Sequence, residues 1–261
     1  MKCYIKDYPR PQFTRTDWEN LNGTWDFGFD DENAGEKEKW YQEFKGDKKI
    51  NVPFTYETKL SGIQDETRHD FIWYHRTISV DGEKLENNRY ILHFEGSDFI
   101  TKVWVNGAYA GSHRGGYARC SFDVTNLVHD GENELTVKVE DSYDPQQPRG
   151  KQRWIKENFG CWYIQTTGIW KTVWSEYVPK ICLASVKMTP DLQNAALKLE
   201  YEVDAAEEVL GEDLIVTASV SFKGVPVAKQ SVMANQKHVG TTMNVSYYGS
   251  IGLEWGVCTW T

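Results

Sequence analysis

Apolar and polar residues alternate in short runs along most of the chain, and a period of two is typical of β-strands with one buried face. In the segment GTWDFGF, Trp25, Phe27 and Phe29 fall on the same face of the predicted strand Gly23–Phe29. Turns rich in Gly, Asn and Asp separate the runs, and no helical heptads lie between them. The pattern therefore predicts an antiparallel β-sandwich. The further runs are Ile72, Tyr74, Ile78 and Val80 in 72–80; Tyr90, Leu92 and Phe94; and Leu135, Val137 and Val139 in 133–140.

The segment 102–127, KVWVNGAYAGSHRGGYARCSFDVTNL, is predicted to form three strands joined by two changes of direction. Asn106-Gly107 is a dipeptide that tolerates positive φ at both central positions of a hairpin turn. Gly115-Gly116 marks the second change of direction, because glycine enters strained conformations without a Cβ clash. Asn106 is expected to serve the hairpin itself.

Two long segments break the alternation and are predicted to be loops. Residues 55–70 are polar and have no period, and residues 141–165, DSYDPQQPRGKQRWIKENFGCWYIQ, mix prolines, glycines and aromatic residues. Loops of this length inside a compact domain are often functional, so the two are expected to form a rim that holds a ligand. The second loop ends at a strand predicted at 168–178. The charged stretch 30–39 is predicted to be a solvated loop or one helical turn.

A domain boundary is predicted at Val178-Pro179, because tryptophan becomes scarce and the strands lengthen beyond it. Residues 1–179 form the first predicted domain and residues 180–261 the second. A Lys223-Gly224 turn joins two of the longer runs. This pattern is typical of an immunoglobulin-like β-sandwich, here without the Cys–Trp–Cys signature of antibody domains. Its alternating positions are Leu197, Leu199, Tyr201 and Val203, then Val216, Ala218, Val220 and Phe222.

Aromatic residues make up 14% of the chain and include eleven tryptophans. Each is expected first of all to pack a β-rich core. The excess also suits a carbohydrate binder, because the C–H face of a sugar stacks on an indole. The chain has 29 basic and 38 acidic residues and a net charge of −9. An acidic surface repels phosphate backbones, so nucleic acid is not expected as a partner.

No apolar run approaches the roughly 20 residues of a membrane span, and residues 1–11 lack the apolar region of a secretory signal. A cytoplasmic location without a membrane partner is therefore predicted. An odd number of cysteines without C-x-x-C spacing predicts free thiols and no metal site. The cysteines are Cys3, Cys120, Cys161, Cys182 and Cys258.

Several motifs occur in an order that resembles one enzyme family. They are FIWYHRTISV at 71–80, VWVNG at 103–107, G-x-H-x-GGY at 111–117, F-D-V-T at 122–125 and TTGIWKTVWSEYV at 166–178. The set resembles the N-terminal sugar-binding domain of family 2 glycoside hydrolases, which include β-galactosidases, β-glucuronidases and β-mannosidases. The resemblance implies an all-β fold, with a jelly-roll-like, galactose-binding-like β-sandwich followed by an immunoglobulin-like β-sandwich.

In that family a (β/α)₈ barrel carries two catalytic glutamates. A barrel needs about 250 residues, and too few follow Pro179 to supply one. No catalytic residue is therefore predicted in this chain, and the barrel is expected in a missing C-terminal part of the same polypeptide. Residues 253–261 resemble the approach to the segment that completes the second sandwich, so this sandwich is expected to be truncated before its last strand. Loop carboxylates are expected to be solvated rather than catalytic; they are Asp65, Glu66, Asp70 and Glu157.

The resemblance also implies that loops of the first domain touch the terminal sugar. Asp65, His69 and Asp70 lie in a loop that aligns with one such contact. The other family contact is a carboxylate six residues before the glycine of an S-G-I motif. Here Trp162 occupies that position relative to Gly168, so a stacking surface replaces a carboxylate. Neither galactose nor glucuronic acid specificity can therefore be carried over.

Four more residues of the second loop are candidates for substrate contact: Arg149, Lys151, Gln152 and Trp154. The alternative is a structural role. In that case Arg149 and Lys151 face solvent, and Trp154 and Trp162 pack the loop onto its sandwich.

The resulting prediction is a non-catalytic N-terminal part of a retaining, β-galactosidase-like glycoside hydrolase that acts on terminal β-linked sugars in carbohydrate metabolism. Its predicted partners are a carbohydrate substrate and the missing barrel. No cofactor or metal is predicted, although some relatives use Mg²⁺ or Na⁺, and homo-oligomers are common in the family. Two alternatives stay open: a free-standing carbohydrate-binding module, and a parent enzyme that is a β-glucuronidase or a β-mannosidase.

Overall fold

Antiparallel β-strands account for almost all regular structure in the computed structural model, which describes residues 7–211 and 213–245. The chain divides into two compact units, Met1–Pro179 and Lys180–Thr261. The prediction of an all-β chain is confirmed. The elements of the first unit are β1 (Trp18–Asn20), β2 (Gly23–Phe29), β3 (Lys48–Val52), a 3₁₀ turn (Lys59–Ser61), β4 (Phe71–Val80), the short helix α1 (Gly82–Leu85), β5 (Asn88–Phe94), β6 (Ser97–Asp98), β7 (Ile100–Val105), β8 (Ala108–Arg114), β9 (Cys120–Asp123), β10 (Gly131–Glu140), β11 (Gly168–Ile169) and β12 (Val173–Pro179).

Two sheets of the first unit enclose one core. The four-stranded sheet has the order β1-β12-β5-β9, and the six-stranded sheet has the order β3-β2-β4-β10-β7-β8. Apolar side chains from both sheets form a single buried cluster, in which Trp25, Tyr74 and Phe94 are at most 1% exposed. This arrangement is the β-sandwich that the alternating pattern predicts. Strands β6 and β11 form a separate two-stranded sheet.

The prediction of a single strand at 168–178 is wrong in one respect, because the structure has two strands there, β11 and β12. Strand β11 pairs with β6, whereas β12 pairs with β1 and β5. The chain thus changes sheets at 170–172, where the backbone N–H of Trp170 donates to the carbonyl of Gly96. The hydrophobic pattern continues through the break and gives no sign of it.

Segment 30–47 is a loop that packs on the outer face of the six-stranded sheet. The predicted solvation is wrong for Asp30, which is 4% exposed and accepts a hydrogen bond from Trp73 Nε1 at 2.9 Å. Trp73 stacks on Trp104 with ring centroids 5.3 Å apart, and Tyr41 stacks on Trp104 at 5.3 Å. The loop therefore covers the tryptophan side chains on this second face of the sheet and shields them from solvent.

A buried lysine fastens the same loop. Lys138 is 3% exposed, and its Nζ donates to Glu36 at 2.8 Å and to Asn33 at 2.6 Å. Lys102 also donates to Glu36, at 2.7 Å. Burial alone would raise the pKa of Glu36, but the hydrogen bonds from the two lysines outweigh it and lower this pKa. The lysines are therefore anchors of the loop rather than solvated charges.

The predicted hairpin between β7 and β8 is confirmed. Asn106 and Gly107 have φ values of 50° and 77°, as a turn with positive φ at both centres requires. The Asn106 side chain also ties the hairpin to β10, because its Oδ1 accepts from the N–H of Glu134 at 2.9 Å and its Nδ2 donates to Asn133 Oδ1 at 2.7 Å. Asn106 thus serves the hairpin, as predicted.

The second unit contains two smaller sheets around a core of its own. Strands β13, β14 and β17 form one sheet, and β15 pairs with β16 in the other. The alternating residues Leu197, Leu199, Tyr201 and Val203 are all buried. The turn between β15 and β16 has φ values of 48° at Lys223 and 80° at Gly224. Its strands are β13 (Cys182–Asp191), β14 (Ala196–Asp204), β15 (Ile215–Phe222), β16 (Val225–Met233) and β17 (His238–Asn244).

Some sequence predictions concern residues outside the described part of the chain. The unfinished last strand at 253–261 is one of them, as are Cys3 and Cys258. The immunoglobulin-like class of the second unit and the truncation of that unit stay predictions. Cys120 is a buried free thiol and Cys161 an exposed one. Among the described residues, no helix has the length and apolar character to cross a membrane.

Candidate functional site

His69 is held inside its own loop. Its ring stacks on Phe29 with centroids 3.6 Å apart. Nδ1 lies 2.7 Å from Asp31 Oδ1, and Nε2 lies 3.0 Å from Thr67 Oγ1. Both ring nitrogens are therefore engaged, and His69 fixes the loop onto strand β2.

The two carboxylates predicted beside His69 also have partners in the loop. Asp65 Oδ1 accepts from the Thr67 N–H at 2.8 Å and from its hydroxyl at 2.5 Å. These bonds from Thr67 lower the pKa of Asp65. Asp70 forms an ion pair with Arg68. Asp65 borders an open cleft of about 640 Å³ together with Phe29, Lys48, Lys49, Gly62, Ile63, Gln64 and Glu66.

Arg149 has a structural position rather than an exposed one. Its side chain is 7% exposed and donates to the carbonyl of Ser142 at 2.5 Å and of Asp144 at 2.8 Å. The alternative in which Arg149 faces solvent is wrong, because the turn at the start of the loop folds its carbonyls around the guanidinium. Lys151 is exposed. Of the two cations, Lys151 is the one open to a ligand.

Gln152 is a buried connector. Its Nε2 donates to Asp98 Oδ2 at 2.8 Å, and its Oε1 accepts from the backbone N–H of Thr166 at 2.9 Å. Both ends of the side-chain amide are thus used within the protein. Gln152 therefore joins the loop 142–165 to strand β6 and does not face a cavity.

The two long loops form one continuous structure. Arg153 donates from Nη2 to the carbonyl of Glu66 at 2.9 Å and from Nε to Gln165 Oε1 at 2.9 Å. Gln165 donates in turn to the carbonyl of Thr67 at 3.4 Å. We call loops 64–70 and 142–165 together the rim. The joining of the two loops agrees with the sequence expectation of a rim.

An aromatic cluster lies in the second rim loop. Trp154 and Trp162 meet edge to face with centroids 4.8 Å apart, and Phe159 stacks on Trp162 at 5.0 Å. All three are only partly buried. Nearby in the chain, Ile155 is 43% exposed and Tyr163 57% exposed. The tryptophans thus pack on one another, and they also keep an apolar surface that is open to solvent.

Three buried carboxylates beneath the rim were missed by sequence reasoning. Glu57, Asp98 and Asp141 are 3%, 4% and 7% exposed. The Thr167 backbone N–H donates to Glu57 Oε1 at 2.9 Å, and the Thr167 hydroxyl donates to Asp141 Oδ2 at 3.0 Å. Gln147 Nε2 donates to Asp141 Oδ1 at 3.0 Å. The position of Asp141 at the end of a long strand was the one available sequence signal.

The environment of these carboxylates favours their neutral forms. Burial raises the pKa of Glu57 to about 7 and the pKa of Asp141 to about 7. Burial also raises the pKa of Asp98. The second oxygen of Glu57, Oε2, is buried without a hydrogen-bond partner. An orphan oxygen of this kind is far less costly on a protonated acid than on a carboxylate.

Two of the sequence motifs and the second rim loop come together around Asp98 and Gly116. A Cβ on Gly116, in the GGY motif, would lie 2.3 Å from Asp98 Oδ1, so only glycine fits there. Trp170, next to the TTGI motif, donates from Nε1 to the carbonyl of Gly116 at 2.7 Å. Gln152 comes from the second loop and bonds the same aspartate. The motifs therefore share one physical task, which is to close the rim over a polar interior.

Metal ligation is not indicated in the part of the chain that the structure describes. No group of three or more His, Cys, Asp or Glu side chains there could hold a metal ion. The rim instead offers aromatic faces, an exposed lysine and an open polar cleft. These are features of a surface that binds a polar organic molecule.

Residues 18–175 match the family described as "Glycosyl hydrolases family 2, sugar binding domain". The chain belongs to glycoside hydrolase family 2. Over 143 residues it is 34% identical to a Formosa agariphila protein named "Putative beta-glucuronidase", and this match covers 54% of the chain and 16% of that protein. Over 217 residues it is 26% identical to a beta-galactosidase of Thermoanaerobacter pseudethanolicus, with 80% and 26% covered. The family 2 chain thus spans about a sixth to about a quarter of these two relatives.

Solved structures show the same fold. The apo β-glucuronidase of Ruminococcus gnavus matches with a TM-score of 0.69 at 20% identity, covering 88% of this chain and 39% of that one. A β-glucuronidase from an uncultured Clostridium species matches with a TM-score of 0.64 at 22% identity, covering 90% and 41%. At these identities the likeness concerns the fold alone. It confirms the fold class expected for the N-terminal region of a family 2 enzyme.

Proposed function

We propose that this chain is the sugar-binding domain and the following β-sandwich of a retaining, β-galactosidase-like glycoside hydrolase that acts on terminal β-linked sugars. The family match over residues 18–175 is the observation that carries the proposal. In this role the chain supplies the scaffold and the rim of the substrate site. A barrel elsewhere in the polypeptide supplies the acids that cleave the bond.

The carboxylates of the rim region are poorly suited to hydrolysis. Retaining hydrolysis uses two carboxyl groups about 5–5.5 Å apart that flank the scissile bond. Glu57 and Asp141 are buried and bonded to Thr167, which leaves them without access to a sugar. Asp65 and Asp70 are more accessible, but they hold Thr67 and Arg68 of their own loop. A scaffold role therefore fits these side chains better than catalysis.

The rim does provide groups that bind sugars. Trp154 and Trp162 are partly exposed, and the C–H face of a sugar ring can stack on an indole. Lys151 is exposed and can donate three hydrogen bonds to hydroxyls. Asp65 borders the open cleft. We assign substrate contact to these four residues, and a positioning role to Arg149 and Gln152.

A β-glucuronidase is the second candidate. Two observations favour it: several relatives and solved structures carry that name, and the Lys151 ammonium would complement a uronic acid carboxylate. The two candidates differ in the charge of the sugar, so a direct comparison of substrates separates them.

The test uses the longer protein from the same gene and a panel of nitrophenyl β-glycosides. We expect turnover of the β-galactoside, and we expect Trp162→Ala to raise KM by about tenfold with little change in kcat, since stacking on an aromatic ring contributes about 1 kcal/mol or more. Preference for the β-glucuronide would select the second candidate. Absence of turnover on the whole panel would contradict both.

Tyr109→Ala is the matched control for the tryptophan variant. Tyr109 is 54% exposed but lies on β8, in the hairpin and not in the rim. Its replacement should leave KM unchanged. An equal rise of KM in both variants would mean that Trp162 acts through general stability and not through sugar contact.

A further inference from the structure

We propose that Glu57 and Asp141 form a proton-operated latch that positions the rim, so that loop 142–165 is held in place while the two acids are protonated and loosens as they ionise. The inference deepens the proposed function. It rests on that function only for the statement that the rim holds a substrate. The latch itself is a property of this chain and can be measured without a sugar.

Hydrogen bonds to these acids lie on both sides of loop 142–165: the C-terminal side is bonded to both acids, and the N-terminal side is bonded to Asp141. At the C-terminal end, Thr167 donates its N–H to Glu57 at 2.9 Å and its hydroxyl to Asp141 at 3.0 Å. At the N-terminal end, Gln147 donates to Asp141 at 3.0 Å and to the carbonyl of Ser142 at 2.9 Å. A change at the pair therefore reaches the loop from both sides.

The local charge balance supports the same latch. Arg149 is the cation that faces Asp141, and it already bonds two loop carbonyls. Ionising both acids next to Asp98 would place like charges in a space that excludes water. The titratable and charged groups that face the pair are Tyr56, Asp70, Tyr74, Asp98 and Arg149.

The two tyrosines that face the pair do not titrate near neutral pH. Burial raises the pKa of Tyr56 and of Tyr74 well above the ordinary phenol value, so both stay neutral. Glu57 and Asp141 have a pKa of about 7 each because they are buried. The unpartnered Oε2 of Glu57 is a position where a proton is better tolerated than a bare charge.

The sign of the effect follows from linkage. Both acids bind a proton more tightly in the closed, folded arrangement than in the open or unfolded one. The stabilisation that these protons give to the closed rim is therefore fully present below the ordinary carboxyl pKa of about 4. It is lost as the pH rises through about 7. On ionisation the protons pass to bulk water. The rim is then expected to be tightest in mildly acidic solution and looser in mildly alkaline solution.

Hydrogen–deuterium exchange of residues 1–261, followed by mass spectrometry, tests the latch. After correction for the intrinsic rate, amide protection of peptides from loop 142–167 should fall from pH 6 to pH 8 in the wild type by about tenfold for each of the two acids. Glu57→Gln and Asp141→Asn carry neutral amides in place of the acids. Each variant should keep the loop more protected than the wild type at pH 8 and remove the share of the pH dependence that its acid contributes.

Glu157→Gln is the matched control, because Glu157 is an exposed carboxylate in the same loop. It should show the wild-type pH profile. Constant loop protection in the wild type from pH 6 to pH 8 would overturn the proposal, as would an unchanged profile in Glu57→Gln. If Asp141→Asn does not fold, the wild type and Glu57→Gln still decide. No sugar is present, so the outcome is independent of the proposed function.

Discussion

Replacing Gly168 by alanine is expected to lower the free energy of unfolding of the first unit by about 4 kcal/mol, since overpacking and positive φ add together. Gly168 has a φ of +95°, and an added Cβ would lie 2.1 Å from Tyr74 Oη and 2.8 Å from Ile72 Cδ1. Both neighbours are fully buried in β4. The Tyr74 hydroxyl also accepts from the N–H of Ile169 at 3.2 Å, and this bond would break.

Gly131→Ala separates the two causes. Gly131 has a similar φ of +88°, but no atom lies within 4 Å of its added Cβ. Backbone strain alone should cost about 1–2 kcal/mol there. Urea unfolding followed by tryptophan fluorescence measures both variants. Equal losses would show that crowding at Tyr74 is not the dominant cause at Gly168, and would contradict the close approach of β11 to the core.

Replacing Glu176 by alanine is expected to lower the free energy of unfolding by about 3–5 kcal/mol, because it leaves buried polar partners without their acceptor. Glu176 is 1% exposed and accepts from Arg15 at 2.8 Å, from His93 Nε2 at 3.0 Å and from the Tyr8 hydroxyl at 3.1 Å. Burial lowers the pKa of His93, so the neutral ring donates through Nε2. The expected result includes release of the N-terminal arm that carries Tyr8 and Arg15.

The electrostatics of this site explain why the acid stays ionised. Burial alone would raise the pKa of Glu176, but the hydrogen bond from His93 and the charge of Arg15 outweigh it and lower this pKa. Glu38→Ala is the control, because the Glu38–Lys45 ion pair is exposed and solvent screening leaves it little effect on stability. Similar losses of stability in the two variants would contradict the buried network.

The strands could be predicted from sequence because burial follows the alternation directly. The strand at Gly23–Phe29 and the pairs of turn residues at Asn106-Gly107 and Lys223-Gly224 agree with the structure. The break between β11 and β12 could not be predicted, because β-branched and aromatic residues continue across it. The partner of a strand, and not its own sequence, decides where it leaves a sheet.

The candidate site was harder to predict, because the identity of a polar residue does not determine whether its side chain points to solvent or to the interior. Arg149 and Gln152 were predicted to contact substrate, but their side chains turn inward to Ser142 and Asp98. Glu57 lies in a stretch without a period, so nothing in the sequence marks it as buried. Buried charges depend on contacts between distant segments, and such contacts are absent from a local pattern.

The most direct test of the account is an assay of purified residues 1–261 on chromogenic β-glycosides, alongside the longer protein from the same gene. In the proposed function these residues hold the sugar, and the catalytic acids lie in another part of the polypeptide. We therefore expect no turnover by residues 1–261 above a mock purification from the same host, and clear turnover by the longer protein. Turnover by residues 1–261 alone would contradict it.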